Sequence, residues 1–139
     1  MNPADANPLG SVHGGITLRL VAGAGAVAAA RHARRPAVTA AMDSMTFRSP
    51  VPIGSLVTFK ASVNYVGATS MEVGVRVETE NLLTGEVRHT SSAYLVYVAL
   101  DEKGQPCPVP RLIPETEEDR RRMAAAEARM AARLGRRKG

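Results

Sequence analysis

The chain has 139 residues, 45% of them hydrophobic and 22% charged, which is the size and balance of one globular domain. Three Tyr, two Phe and no Trp leave a core to be built from Val, Leu, Ile, Met and Ala, and leave no rows of aromatics on which single-stranded nucleic acid could stack. The net charge of +5 is uneven: residues 1–110 carry nine basic and eight acidic groups, residues 111–139 nine and five. The basic character therefore belongs to the C-terminal tail, ending Arg136-Arg137-Lys138, and a solvated helix end accounts for it better than a nucleic-acid surface. A single cysteine, Cys107, excludes an internal disulfide and a Cys-based zinc site and fits a reducing compartment. The longest uncharged apolar stretch, Leu20 to Ala30, falls short of the ~18–20 residues that span a bilayer, and no basic-plus-apolar leader is legible. The expectation is a cytoplasmic protein without a membrane span.

Residues 2–10, NPADANPLG, are turn-forming. From Ile16 to about Arg31 the chain is rich in Ala and Leu and predicts a helix. Leu20 to Ala30 carries no polar side chain but does hold Gly23 and Gly25, each costing a helix interior about 1 kcal/mol relative to Ala. An all-apolar helix of small residues is expected to lie buried on every side. His32 to Pro36 ends it, with cations in the last turn and Pro beyond.

Four strands follow: Val38 to Phe47, Leu56 to Val66, Ser70 to Glu80 and Val87 to Leu100. The third alternates cleanly, with Met71, Val73, Val75 and Val77 on one face and Glu72, Arg76 and Glu78 on the other. Val66-Gly67-Ala68-Thr69 and Asn81-Leu82-Leu83-Thr84-Gly85 are short enough for hairpin loops. Four Pro between residues 105 and 114 impose an extended stretch. A second helix starts near Thr116, with Asp119 completing a capping box and a thin apolar stripe of Met123, Met130 and Leu134. It should pack lightly, or against a partner subunit. The pattern is α+β, a curved antiparallel sheet wrapped around one long buried helix plus a C-terminal helix, with unpaired edges that invite a second copy. The expected division is residues 1–114 as the folded domain and 115–139 as a basic helical tail.

The motif Asp5-Ala6-Asn7-Pro8-Leu9-Gly10 followed by Val12-His13-Gly14-Gly15 resembles that of the hotdog-fold acyl-CoA thioesterases. The likeness continues through Ala30-Arg31-His32, Val38-Thr39, Asp43 to Phe47, Ser49-Pro50-Val51, Tyr65-Val66-Gly67, Thr69 to Val73, Asn81 to Gly85, Tyr94 to Leu100 and Pro114 to Glu117, in order along nearly the whole chain. What it implies is hydrolysis of fatty acyl-CoA to a free acid and CoA, with no metal and no cofactor beyond the CoA moiety of the substrate itself. It implies a catalytic role for Asn7, and backbone N–H groups of Gly14 and Gly15 directed at the thioester carbonyl. Helix N-termini present unpaired donors where an oxyanion develops, which agrees. Asn7 as a turn residue, and Gly14-Gly15 as a simple turn into the helix, are the competing readings. His13 is assigned to packing.

Two departures stand out. The family places a catalytic carboxylate seven residues beyond the second Gly, often as Asp-Glu; here those positions are Ala22 and Gly23. Losing a general base costs ~10²–10⁴-fold in rate, so impaired hydrolysis is expected, the alternative being a catalytically inactive acyl-CoA binder or a variant altered at this site. Asp43 is the nearest substitute, though a structural role suits it better. Second, members of the family have one more strand before Asp-Ala-Asn, whereas this chain begins Met1-Asn2-Pro3, which leaves the sheet an edge strand short or puts the true start further upstream. For the CoA moiety, the resemblance implies Gly67, Thr69 and Ser70, with Arg48 and Arg34 as phosphate partners. Ala68 stands where relatives carry a basic residue. A homodimer, or a hexamer as a trimer of dimers, is expected.

Overall fold

The computed structural model describes residues 14–48 and 51–138. Helix α1 spans Gly14–Ala33, strands β1 to β4 span Ala37–Phe47, Leu56–Val66, Ser70–Glu80 and Val87–Ala99, and helix α2 spans Glu117–Lys138. The boundaries of the second and third strands are those expected. The first begins one residue earlier and the fourth ends one earlier, Leu100 instead bridging to Pro106. The strands form one antiparallel sheet in the order β1-β4-β3-β2.

Alternation on β3 sends Met71, Val73, Val75 and Val77 into the core, each at most 2% exposed. Ala93, Leu95, Tyr97 and Ala99 do the same from β4. These residues carry α1, which touches all four strands. Extra residues in β1 break its register with β4 between Thr39 and Ala41 and between Met42 and Ser44. Such bulges bend a strand and re-aim its side chains.

The expectation of a helix buried on every side holds for one face only. Thr17, Val21, Gly25, Ala29 and Ala33, each four residues apart, are buried, while Leu18, Leu20 and Val27 are exposed, Val27 at 59%. Four strands cover one stripe of a helix, and among the described residues no element packs on the apolar residues of the opposite stripe. Arg34, in the left-handed region at φ 56°, donates its N–H to Ala30 and turns the chain out of the helix, a position usually given to Gly.

The two helix glycines differ. A Cβ at Gly25 would collide with the Tyr97 hydroxyl, whereas a Cβ at Gly23 meets nothing within 4 Å. Gly23→Ala should therefore raise stability by about 0.5–1 kcal/mol through helix propensity. Gly25→Ala should lower it by about 1–3 kcal/mol despite the same propensity gain, because the Tyr97 ring is fully buried and must shift. Urea denaturation of both variants distinguishes the signs.

On the opposite face of the sheet lies α2. Thr116 caps it as expected: its Oγ1 accepts the Asp119 N–H at 3.0 Å, and Asp119 Oδ2 accepts the Glu115 and Thr116 N–H groups in return. Packing is not light where Ala126 is fully buried and where Arg129 stacks 3.7 Å over the Tyr94 ring while donating to Glu72 at 2.9 Å. Alternation places Glu72 on the outer face, correctly, but α2 covers it, and it is fully buried.

Candidate active site

Helix α1 opens at Gly14-Gly15 with no acidic residue in its first turn, so its leading N–H groups and the positive end of its dipole are not neutralised by its own side chains. That disposition suits an acyl oxyanion. Asn7 and His13 lie outside the described residues.

Seven residues on, Ala22 is half-buried, and Gly23 beside it is exposed. At ~1.5 Å per residue, the Ala22 position is about 10 Å along the axis from Gly15. The Tyr97 hydroxyl donates to the Ala22 carbonyl at 2.6 Å, tying β4 to this turn of the helix. Burial pushes the Tyr97 phenol above its ordinary value of 10.0, and a hydrogen bond with the Thr39 side chain pulls weakly the other way. Thr39 pairs with Tyr97 across β1 and β4, so an exposed hydroxyl and a buried phenol lie beside the Ala22 turn. Neither Thr39 nor Tyr97 stands out in the sequence as chemistry. The signal that could have found Tyr97 is its inward phase on β4, shared with Ala93, Leu95 and Ala99, which points a lone polar tip at the helix.

Because the folded phenol ionises at higher pH than an ordinary tyrosine, its stabilising contribution is complete below pH about 10 and is lost as pH rises through the folded value. Tyr97→Phe should therefore cost about 1 kcal/mol near neutrality. It should also flatten the loss of stability above pH about 10 in thermal melts across an alkaline series.

Asp43 belongs to β1, but its side chain lies outside the described residues. The five positions expected to hold the CoA moiety are divided between two regions. Gly67, Thr69 and Ser70 form the turn between β2 and β3, with Gly67 N–H donating to Ser70 C=O at 2.8 Å and Ala99 N–H to Thr69 C=O at 3.1 Å. Arg34 precedes the start of β1, at that same end of the sheet, where Leu100 N–H donates to Pro36 C=O. Arg48 follows the other end of β1, its N–H donating to Thr90 C=O at 2.8 Å. The eleven extended residues of β1 lie between the two arginines and span roughly 36 Å at ~3.3 Å each. One phosphate group cannot meet both within a single chain.

A cleft of about 680 Å³ lies between α2 and the sheet, and no residue of α1 lines it. Among the described residues no group of three His, Cys, Asp or Glu could hold a metal, and no helix is long and apolar enough to cross a membrane. Cys107 is free and buried, its N–H donating to Ala99 C=O.

Residues 9–86 match the model of the Thioesterase superfamily. The uncharacterised acyl-CoA thioester hydrolase YkhA of Bacillus subtilis is 43% identical over 117 residues, covering 84% of this chain and 68% of YkhA. A crystal structure of an apo-hexameric acyl-CoA thioesterase superposes with a TM-score of 0.94 at 42% identity, covering 98% of this chain and 87% of that one. The acyl-CoA hydrolase of Staphylococcus aureus, solved with butyryl-CoA, CoA and CoA disulfide, superposes at 0.91 with 31% identity over 99% of this chain and 84% of its own. Structures of that hydrolase also exist with an Asn, an Asp and a Thr each replaced by Ala, at positions fifteen and then seventeen residues apart. Matched over more than half its length and above 40% identical to two of these three proteins, the chain belongs to the thioesterase superfamily, as a thioesterase of the hotdog-fold acyl-CoA hydrolase family.

Proposed function

We propose that this thioesterase binds fatty acyl-CoA between two copies of the chain and hydrolyses it slowly, because Ala22 stands where the chemistry needs a carboxylate. The observation that carries the reading is an interval. Asn7, Ala22 and Thr39 follow one another at fifteen and seventeen residues, the spacing of the Asn, Asp and Thr replaced in the Staphylococcus aureus hydrolase. In this reading the Gly14 and Gly15 N–H groups bind the thioester carbonyl and stabilise the developing oxyanion. Asn7 and Thr39 orient substrate and water through hydrogen bonds, since neither can act as a base at neutral pH. A water attacks the carbonyl carbon, and CoA leaves as the thiolate. No metal and no cofactor beyond the substrate's own CoA moiety takes part. Gly67, Thr69, Ser70 and Arg34 contact that moiety from one chain, and Arg48 from the end of β1 far from them, on the partner's ligand.

Geometry argues for a site shared by two chains. A general base and an oxyanion donor must each come within ~3 Å of the reacting group, and about 10 Å of helix separates Gly15 from position 22. One copy cannot supply both. Two α1 helices packed side by side in opposite directions would bring one copy's Gly14-Gly15 to the other's Ala22. They would also cover Leu18, Leu20 and Val27. The hexameric relative is consistent with such an assembly.

Subunit mixing tests this. A chain with Ala22→Asp and Gly15→Pro regains the acid but loses an N–H donor, Pro being tolerated in a first helical turn. The unmodified chain keeps the donor and lacks the acid. After joint unfolding and refolding, the mixture should release thiol from butyryl-CoA at least ten times faster than either parent. A mixture no faster than its parents contradicts the shared site.

A further inference from the structure

The reading above leaves the nucleotide end of the substrate short of a cation at the β2–β3 turn, since Ala68 has no charge to offer. A cleft of about 580 Å³ opens at that turn, lined by Tyr65, Gly67, Ala68, Arg111, Leu112 and Met123, among others. No Asp or Glu lines it, and Arg111 has no ion-pair partner among the described residues. The backbone on its N-terminal side is fixed at two points. Val109 N–H donates to the Ala68 carbonyl at 3.1 Å, and His32 Nε2 donates to the Pro110 carbonyl at 2.8 Å. Arg111 follows directly on these anchors, so its guanidinium is delivered to the Gly67-Ala68 turn with little backbone freedom left to lose on binding. The Tyr65 ring and the Leu112 and Met123 side chains supply apolar walls against which a planar base can lie, while a planar fork of N–H donors suits a phosphate.

We propose that Arg111 is a further phosphate-binding residue for the nucleotide end of the CoA thioester, beside Arg34, taking from the extended 105–114 segment the role that the turn itself cannot fill with Ala68. The inference rests on the acyl-CoA reading above, and its failure is separable from the failure of that reading. Selectivity for CoA over a shorter pantetheine thioester then depends on Arg111 and not on the α1 chemistry.

Calorimetric titration of the whole chain with CoA, pantetheine and inorganic phosphate tests it without relying on turnover. Arg111→Ala should weaken CoA by ~10–100-fold, the loss typical of a charge-assisted hydrogen-bonded pair, and leave pantetheine within twofold. Arg111→Lys should fall between, and Ala68→Arg added to Arg111→Ala should recover at least fivefold. Inorganic phosphate should bind the unmodified chain at least 100-fold more weakly than CoA does, which separates a nucleotide site from a general anion site. Arg111 is exposed, so melting temperatures of the variants should match within ~2 °C. CoA affinity unchanged in Arg111→Ala overturns the inference while the acyl-CoA reading stands. So does equal weakening of CoA and pantetheine. An unmodified chain that binds neither CoA nor pantetheine removes the acyl-CoA reading and the inference with it.

Discussion

Replacing Ala22 with Asp, together with Gly23→Glu, is expected to raise thiol release from butyryl-CoA and palmitoyl-CoA by at least 100-fold over the unmodified chain. General acid–base catalysis by a positioned side chain contributes ~10²–10⁴-fold, so the vacant position alone accounts for a change of this size. The site can receive the new groups. Ala22 is half-buried, and Gly23 has nothing within 4 Å of a built Cβ. The Tyr97 hydroxyl reaches the Ala22 carbonyl and not its side chain, so the tie between β4 and α1 survives the substitution. A Gly at position 23 is also a weaker helix former than Glu, and the double variant should be no less stable than its parent. A folded double variant with unchanged turnover would count against position 22 as the seat of the missing base. The competing assignment, Asp43 as substitute base, predicts that Asp43→Asn silences the unmodified chain.

The second large effect concerns the far face of the sheet. Arg129 is the means by which α2 is held down: its guanidinium lies over Tyr94 and donates to Glu72, whose side chain is fully buried. Removing Arg129 takes a charge-assisted hydrogen bond from the buried Glu72 and a stacked cation from Tyr94, and hydrogen bonds to charged groups contribute ~1.5–3 kcal/mol. Arg129→Ala should therefore cost about 3 kcal/mol and lower the melting temperature by about 10 °C in a chain of this length. Arg129→Met combined with Glu72→Gln removes both charges and should recover most of that loss. Guanidinium denaturation of the two singles and the double gives the coupling energy directly. Full additivity would show that the contact contributes packing alone. The exposed ion pairs along α2, Arg120 with Glu117 and Arg122 with Glu118, should by contrast change stability by well under 1 kcal/mol each.

Much of the architecture is local and therefore legible. The β2 and β3 boundaries follow from period-2 alternation and from the turn residues between them, and the α2 start follows from Thr116 and Asp119, whose reciprocal bonds span three residues. What the sequence hides is separation. Glu72 and Arg129 meet across 57 residues, and Tyr97 reaches Ala22 across 75. Alternation fixes the face on which Glu72 lies but not the helix that covers it. The apolar run of α1 signals burial without saying by what, and the described residues cover one stripe only. The Pro-rich spacing likewise predicts that the segment holding Arg111 is extended but not that it is anchored against the β2–β3 turn. Arg34 and Arg48 look interchangeable as phosphate partners in a list of cations, yet β1 holds them apart. As for the site, α1 begins at Gly14-Gly15 and carries Ala22 two turns on, while the chemistry assigned to them rests on the motif.

In the function proposed above, the acyl-CoA site binds its substrate but lacks the carboxylate that would turn it over. The most direct measurement incubates butyryl-CoA with the unmodified chain and records heat of binding and thiol release in parallel with the Ala22→Asp, Gly23→Glu variant. Saturable binding of similar affinity in both, with thiol release at least 100-fold slower in the unmodified chain, is the result expected. No heat of binding, or equal rates of release from the two chains, would contradict it.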